Sequence, residues 1–328
     1  MEESRLLRVK NLRTSFKTPE GIVRSVDGVS FDVNRGETLA LVGESGCGKT
    51  VTSLSIIGLL AESAEVAADE LSFEGRDLLA MDREQRRLLR GSGISMIFQE
   101  PMTSLNPVYR IERQIGEVFT CHHPEMSKKE VHERSVEMLR RVGVPNPEER
   151  LRVYPHQLSG GLRQRVMIAI ALAAGAPLVI ADEPTTALDV TIQAQILQLM
   201  RELQQESGMS VILITHDFGV VSQLAHRVAV MYAGKIVEEG AVEEIFSDPQ
   251  HPYTKLLILS IPGIKVKRGG RLESITGAVP NPLRFPKGCR FHPRCPYAMD
   301  ICREKEPPET RTGDRRVSCF LRGDGNAE

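Results

Sequence analysis

The chain has 328 residues, 41% of them hydrophobic and 26% charged, enough for one large domain or two smaller ones with a substantial core. Its 42 Lys and Arg nearly cancel 43 Asp and Glu, so no global charge draws it toward nucleic acid or an anionic membrane. The opening MEESRLLRVKNL lacks the apolar run of a signal peptide. In chain order, LLRVKNL, IVRSVDGVSFDV and ETLALVG within residues 6–43 carry the alternation of half-buried strands. A helix is expected from Ser53 to Leu60, and charged amphipathic helices over 76–92 and 127–143, separated by a strand at 94–99. The most apolar stretch, Val166–Ala181, is too short to span a bilayer and is interrupted by Gly175 and Pro177, so it reads as a buried helix followed by a buried strand. The continuous apolar runs LVIAD (178–182) and VILIT (211–215) have the pattern of central parallel strands. Between them Ile192, Ile196, Leu199 and Leu203 fall on one helix face. Strands alternating with helices predict an α/β sheet, and the chain is expected to be cytosolic.

From about Pro249 the pattern changes: proline, arginine and cysteine rise and long periodic segments stop, which sets a boundary near 245–260. Residues 262–328 hold fourteen Lys and Arg against eight Asp and Glu.

GESGCGKT at 43–50 fits the phosphate-loop pattern G-x-x-x-x-G-K-[ST], with a strand before it and a helix after it. Gly43, Glu44, Ser45, Gly46, Cys47 and Gly48 would turn backbone N–H groups around phosphates at the positive end of the helix. Lys49 would meet the β- and γ-phosphates, and the Thr50 hydroxyl suits Mg²⁺. Asp182 and Glu183, ending an apolar strand, suit a Mg²⁺ ligand and a group that polarises an attacking water. In LSGGLRQR, Ser159 can cap a helix beginning near Gly161, and with the N–H groups of Gly160 and Gly161 it forms a second anion site.

LSGGLRQR, standing just before the Asp182–Glu183 strand, resembles the signature motif of ABC ATPases. The resemblance implies a P-loop NTPase (RecA-like) α/β core with an antiparallel β subdomain and a helical subdomain at about 100–160, all within residues 1–250. Residues 251–328 would be a small Cys-rich extension. It further implies that Gln99 contacts Mg²⁺ and senses a transmembrane subunit, that Asp189 of TTALDV lies at a dimer interface, and that His216 contacts the γ-phosphate. Phe16 takes the adenine-stacking place where the family more often has tyrosine. Lys49, Glu183 and His216 then carry ATP hydrolysis with Mg²⁺. One chain holds a single set of motifs, so a complete site needs a second ABC ATPase subunit, identical or homologous.

EPMTSLNPVYRI after Gln99, and HPYTKLLILSIPG at 251–263, are similar to ATPase subunits of dipeptide and oligopeptide importers. Nickel, glutathione and some sugar importers share these segments. The resemblance implies attachment to two transmembrane permease subunits at the cytoplasmic face of the membrane, served indirectly by an extracytoplasmic solute-binding protein. The competing reading is a soluble ABC ATPase acting on nucleic acid or the ribosome through the basic tail. A weaker third, a non-hydrolysing regulator, conflicts with the intact Asp182–Glu183 and His216.

Cys289, Cys295, Cys302 and Cys319 remain, with five, six and sixteen residues between neighbours. Their softness and number fit a Cys₄ site for [4Fe–4S] or zinc, disulfides being the alternative. The spacing is not C-x₂-C, and similar arrangements in peptide-importer ATPases hold an iron–sulfur cluster, here expected as a structural staple. Cys47 and Cys121 are read as incidental, although oxidation of Cys47 would block the phosphate loop.

Overall fold

Alternating and continuous apolar runs become strands at nearly every place the pattern predicts. The computed structural model describes residues 4–186, 188–261 and 275–322. Ala187 of TTALDV and residues 262–263 of HPYTKLLILSIPG lie outside the described residues. The strands begin with β1 (Arg5–Thr18), β2 (Gly21–Asn34), β3 (Thr38–Val42), β4 (Ala64–Ala67), β5 (Glu70–Phe73) and β6 (Arg76–Asp77). They continue with β7 (Ile94–Ile97), β8 (Leu178–Asp182), β9 (Ser210–Thr215), β10 (Arg227–Tyr232), β11 (Lys235–Ala241), β12 (Glu309–Thr312) and β13 (Arg315–Ser318). The helices are α1 (Lys49–Ile57), α2 (Arg83–Ser92), α3 (Pro101–Ser104), α4 (Ile111–His122), α5 (Lys128–Arg141) and α6 (Pro147–Leu151). After them come α7 (Gly160–Leu172), α8 (Val190–Ser207), α9 (Phe218–Leu224), α10 (Val242–Ser247), α11 (Pro252–Leu259) and α12 (Asp300–Glu304). Among the described residues no helix is long and apolar enough to cross a membrane.

The chain divides into two units. The first comprises residues 1–33, 38–79 and 214–328. In it one sheet runs β2-β1-β5-β6, with β4 also on β1; β1 pairs antiparallel with β4 and β5, placing Leu7 opposite Phe73 and Phe16 opposite Ala64. A second set of strands runs β12-β13-β11-β10-β3, parallel only between β10 and β3. Val42, Val230, Tyr232, Tyr253 and Phe291 share its apolar core, so the cysteine-bearing segment packs into the core that supports β3. Glu238 and Glu239 on β11 are 0% and 2% exposed. A buried carboxylate needs paired charge. Arg315 and Arg316 of β13 supply it at 2.7 and 2.9 Å, and Arg227 adds a further bond to Glu239.

The second unit comprises residues 34–37 and 80–213. Strands β7 and β8 are parallel, with Ile94 opposite Leu178 and Ile97 opposite Ala181, and β9 lies beside β8. Every residue of β7 and β8 is buried, as continuous apolar runs require. Ser127 and Glu130 form a capping box that starts α5, and Arg140 and Arg141 close it against the negative helix end. Its inward face buries Val136, Met138 and Leu139, each contributing about 1.5–3 kcal/mol of apolar transfer. The helix expected over 76–92 begins only at Arg83. Arg76–Asp77 instead pair with β5, Asp77 accepts the Leu79 N–H at 2.8 Å, and Asp82 provides the real cap with Gln85. Likewise α1 starts at Lys49 and stops at Gly58, earlier at both ends than the periodicity indicated.

Candidate functional site

In the first unit the wholly buried strand β3 delivers the chain into the 43–48 turn, and α1 begins at Lys49. Gly48 stands at φ +106°, and a Cβ there would lie 2.4 Å from the Ser25 carbonyl, so only glycine fits. Lys49 is 6% exposed and its Nζ donates to the carbonyls of Gly43 (2.7 Å) and Glu44 (3.1 Å). The ammonium is thus held inside its own loop by neutral dipoles, which a phosphate oxygen outcompetes because a charged acceptor binds more strongly. Ser45, Gly46 and Thr50 are exposed around the start of α1, whose first turn carries no acidic side chain to cancel its positive end. Cys47 is buried with its Sγ 3.9 Å from Lys49 Nζ; burial pushes its pKa up, outweighing the lowering by Lys49. Cys47 therefore stays a thiol at neutral pH.

Phe16 is half-buried on β1. That strand also carries Arg13, Thr14 and Ser15, which with Arg24, Val26 and Asp27 line a cavity of about 360 Å³. The Thr14 and Ser55 hydroxyls, 2.7 Å apart, tie this strand to α1. His216 is exposed where β9 ends; next to it Asp217 donates its N–H to Thr215 Oγ1 (3.0 Å) and caps α9 through Gly219 N–H (2.7 Å).

In the second unit Asp182 ends β8, 2% exposed, and Glu183 follows at φ +46°, a left-handed conformation uncommon outside glycine. Glu183 Oε2 accepts from Gln99 Nε2 at 3.0 Å and from Thr186 Oγ1 at 2.8 Å. Two side chains 84 residues apart, Gln99 and Glu183, are thereby brought together. Ser159 caps α7 by accepting the Leu162 N–H at 3.4 Å, so the helix starts at Gly160, leaving Ser159 and Gly160 exposed. Asp189 caps α8 by accepting from Ile192 at 2.9 Å. Sequence reasoning missed Gln164. It is 2% exposed and its Nε2 donates to the Pro184 carbonyl at 2.6 Å, fastening α7 to the turn that carries Glu183. A polar residue in the otherwise apolar face of α7 was the available signal.

The six cysteines are all free thiols. Cys289 donates its N–H to the Cys302 carbonyl at 2.9 Å. Burial pushes the Cys289 pKa up to about 11, and the thiolates of Cys302, Cys319 and Cys295 push it the same way. Burial likewise raises Cys295 and Cys319. The four share one electrostatic neighbourhood, yet among the described residues no three Cys, His, Asp or Glu side chains converge as a metal-binding group. The expected [4Fe–4S] or zinc site on these cysteines is therefore not supported.

Two family models match the chain: that of the ABC transporter over residues 26–186, and that of the oligopeptide/dipeptide transporter C-terminal region over residues 237–302. The dipeptide transport ATP-binding protein DppD of Haemophilus influenzae is 50% identical over 96% of this chain and 94% of its own. The oligopeptide transport ATP-binding protein AppD of Bacillus subtilis is 51% identical over 99% of each. Among solved structures, the dimeric post-hydrolysis ATP-binding cassette MJ0796, bound to ADP and Pi, aligns with a TM-score of 0.66 at 27% identity, covering 72% of this chain and 99% of that one.

Proposed function

Because this chain belongs to the family of ABC transporter ATP-binding proteins, we propose that it hydrolyses ATP to drive import of dipeptides or oligopeptides through a membrane complex. The observation that carries the reading is the charged phosphate loop, with Lys49 poised on the carbonyls of Gly43 and Glu44. Residues 1–250 would form the nucleotide-binding domain and 251–328 its peptide-importer extension. Lys49 and the N–H groups of Gly43–Gly48 bind the phosphates, and Phe16 stacks on adenine. Glu183, held by Gln99 and Thr186, orients the water that attacks the γ-phosphate, and His216 contacts that phosphate. Thr50, Gln99 and Asp182 are the residues that would hold Mg²⁺, which supplies charge neutralisation at the phosphates. The Ser159 hydroxyl and the N–H groups of Gly160 and Gly161 would engage the nucleotide of a second ATPase subunit, identical or homologous, and Asp189 would lie at that interface. Two permease subunits would anchor the assembly at the cytoplasmic face of the membrane, with an extracytoplasmic solute-binding protein delivering peptide.

Among the described residues, four arginines of the tail are paired inside the first unit: Arg294 with Glu44, Arg290 with Asp27, Arg315 with Glu238 and Arg316 with Glu239. Arginines so engaged favour the transport reading over nucleic-acid binding. A [4Fe–4S] cluster or zinc on Cys289, Cys295, Cys302 and Cys319 would staple the extension, the reading resting on the softness and number of these four ligands. Anaerobic purification followed by iron, sulfide and zinc analysis decides it; protein free of all three rejects the metal. The function itself is tested in the complex isolated from membranes and reconstituted in vesicles. Wild-type chain should couple MgATP hydrolysis to peptide uptake, and Glu183→Gln should keep ATP binding while turnover drops by about 10² or more. Normal turnover in that variant, or uptake indifferent to ATP, rejects the proposal.

A further inference from the structure

The 43–48 loop is gripped from outside by residues that follow it by some two hundred positions. Glu44 is held at both its backbone and its side chain. Its N–H donates to Tyr253 Oη at 2.9 Å, and its carboxylate receives both arms of Arg294, at 2.7 and 2.9 Å. The Arg294 side chain is only 4% exposed, and each of its donor groups is engaged. Nε meets the Thr276 carbonyl at 2.9 Å, Nη1 also reaches Tyr232 Oη at 3.4 Å, and Nη2 also reaches the Ile275 carbonyl at 3.4 Å. A guanidinium presents its five N–H groups in a rigid planar fork, so one whose partners are all fixed cannot move without breaking several bonds together. Tyr253 is no looser: it is 0% exposed and packs against Tyr232 and Phe291, with ring centroids 4.6 and 5.3 Å away.

A second arm comes from the same short stretch. Arg290 donates to the Ala233 carbonyl at 2.6 Å and pairs with Asp27. The neighbouring Gly234 N–H then donates to the Cys47 carbonyl at 2.9 Å, on the other side of the loop. The carbonyls that hold Lys49 belong to Gly43 and Glu44, so a shift of Glu44 moves the seat of the ammonium as well.

We propose that Arg294, with Tyr253 and Arg290, acts as a positioning clamp that sets the phosphate loop in its nucleotide-binding shape, so that ATP affinity depends on the folded state of the 289–295 segment. This rests on the phosphate loop being the ATP site. Coupling between two sites is reciprocal, so nucleotide on the loop must in turn tighten the segment that carries Arg294.

The test uses the full-length chain and Mg²⁺ with adenylyl imidodiphosphate, titrated by calorimetry. Arg294→Gln is expected to raise Kd about tenfold, within the usual range of coupling. Glu44→Gln and Tyr253→Phe should raise it too. The double variant Glu44→Gln/Arg294→Gln should bind no more weakly than the worse single, because both remove one interaction. In wild-type chain, saturating nucleotide should slow hydrogen exchange across 289–295, and in Glu44→Gln that protection should shrink. A merely structural role would lower Tm and leave the Kd of the folded protein unchanged. Should Arg294→Gln fail to fold, the near-isosteric Tyr253→Phe and the Glu44→Gln variant carry the test. Lys49→Ala separates the two readings. If it binds as well as wild type, the phosphate-loop assignment falls and the clamp with it. If it abolishes binding while Arg294→Gln, Tyr253→Phe and Glu44→Gln all bind normally, the clamp alone is overturned.

Discussion

At the residue scale, the phosphate loop separates two demands on glycine that the motif pattern merges. Gly48 combines φ +106° with a carbonyl 2.4 Å from any added Cβ, whereas Gly46, at φ +77°, faces open space. Alanine at Gly46 has only the left-handed backbone to accommodate, about 1–2 kcal/mol. Alanine at Gly48 must also displace the Ser25 backbone. Gly48→Ala should therefore lower Tm more and cost at least tenfold in ATP affinity, while Gly46→Ala keeps most of both; chemical denaturation and nucleotide titration of the two variants check the order. Equal effects would mean that sterics at Ser25 do not govern the loop. Glu183 carries the opposite trade, a charged side chain kept in a left-handed backbone. Such strain persists where neighbours over-determine it, here Gln99 and Thr186.

Elements are joined by single buried bonds as much as by broad faces. Gln164 on α7 is the clearest case, because its amide satisfies the buried Pro184 carbonyl immediately after Glu183. Gln164→Leu keeps the volume and removes the donor, so it should cost about 1–3 kcal/mol in denaturant unfolding. The ATPase assay should show kcat falling further than ATP affinity; an unchanged kcat would show that the turn holds its shape alone. This scale also marks what could be read from residue order. The runs LVIAD and VILIT predicted buried strands because continuous apolar sequence has few other homes, and the charged amphipathic spacing over 127–143 predicted α5, whose Ser127–Glu130 cap the structure adds. Residues 76–82 misled because charged amphipathic spacing continues through them, while Asp77 and Asp82 impose a turn and a cap. The Gln99–Glu183 and Glu44–Arg294 pairs span 84 and 250 residues, and no periodicity reports a contact made by the closed fold.

For the whole molecule, acid sensitivity has an identifiable contributor. His251 is 1% exposed, caps α11 by accepting the Tyr253 N–H at 3.0 Å, and burial pushes its pKa from 6.5 down to about 3. Below 6.5 the unfolded chain takes up a proton that the folded chain refuses until about pH 3. Its stabilising contribution is therefore complete above 6.5 and is lost progressively as pH falls toward 3, at up to about 1.4 kcal/mol per pH unit. His251→Asn replaces the capping Nδ1 with an amide oxygen and removes the titration. Its Tm should decline less steeply than wild type between about pH 7.5 and about pH 5, and parallel curves would exclude His251 as the source.

The pairing of β11 with β13 also has a consequence for how the protein is made. Glu238 and Glu239 leave the ribosome well before their partners Arg315 and Arg316, which follow 77 residues later. Until then Arg227 pairs with Glu239, while Glu238 has the N–H groups of Gln250 and His251 as partners but no cation, so its charge is left uncompensated at that edge of the sheet. The first unit is thus completed late in synthesis, when β13 emerges. A message truncated before codon 315 would yield a chain with an acidic, unsealed sheet edge, the kind of surface on which cellular proteases act before such a product can compete for assembly.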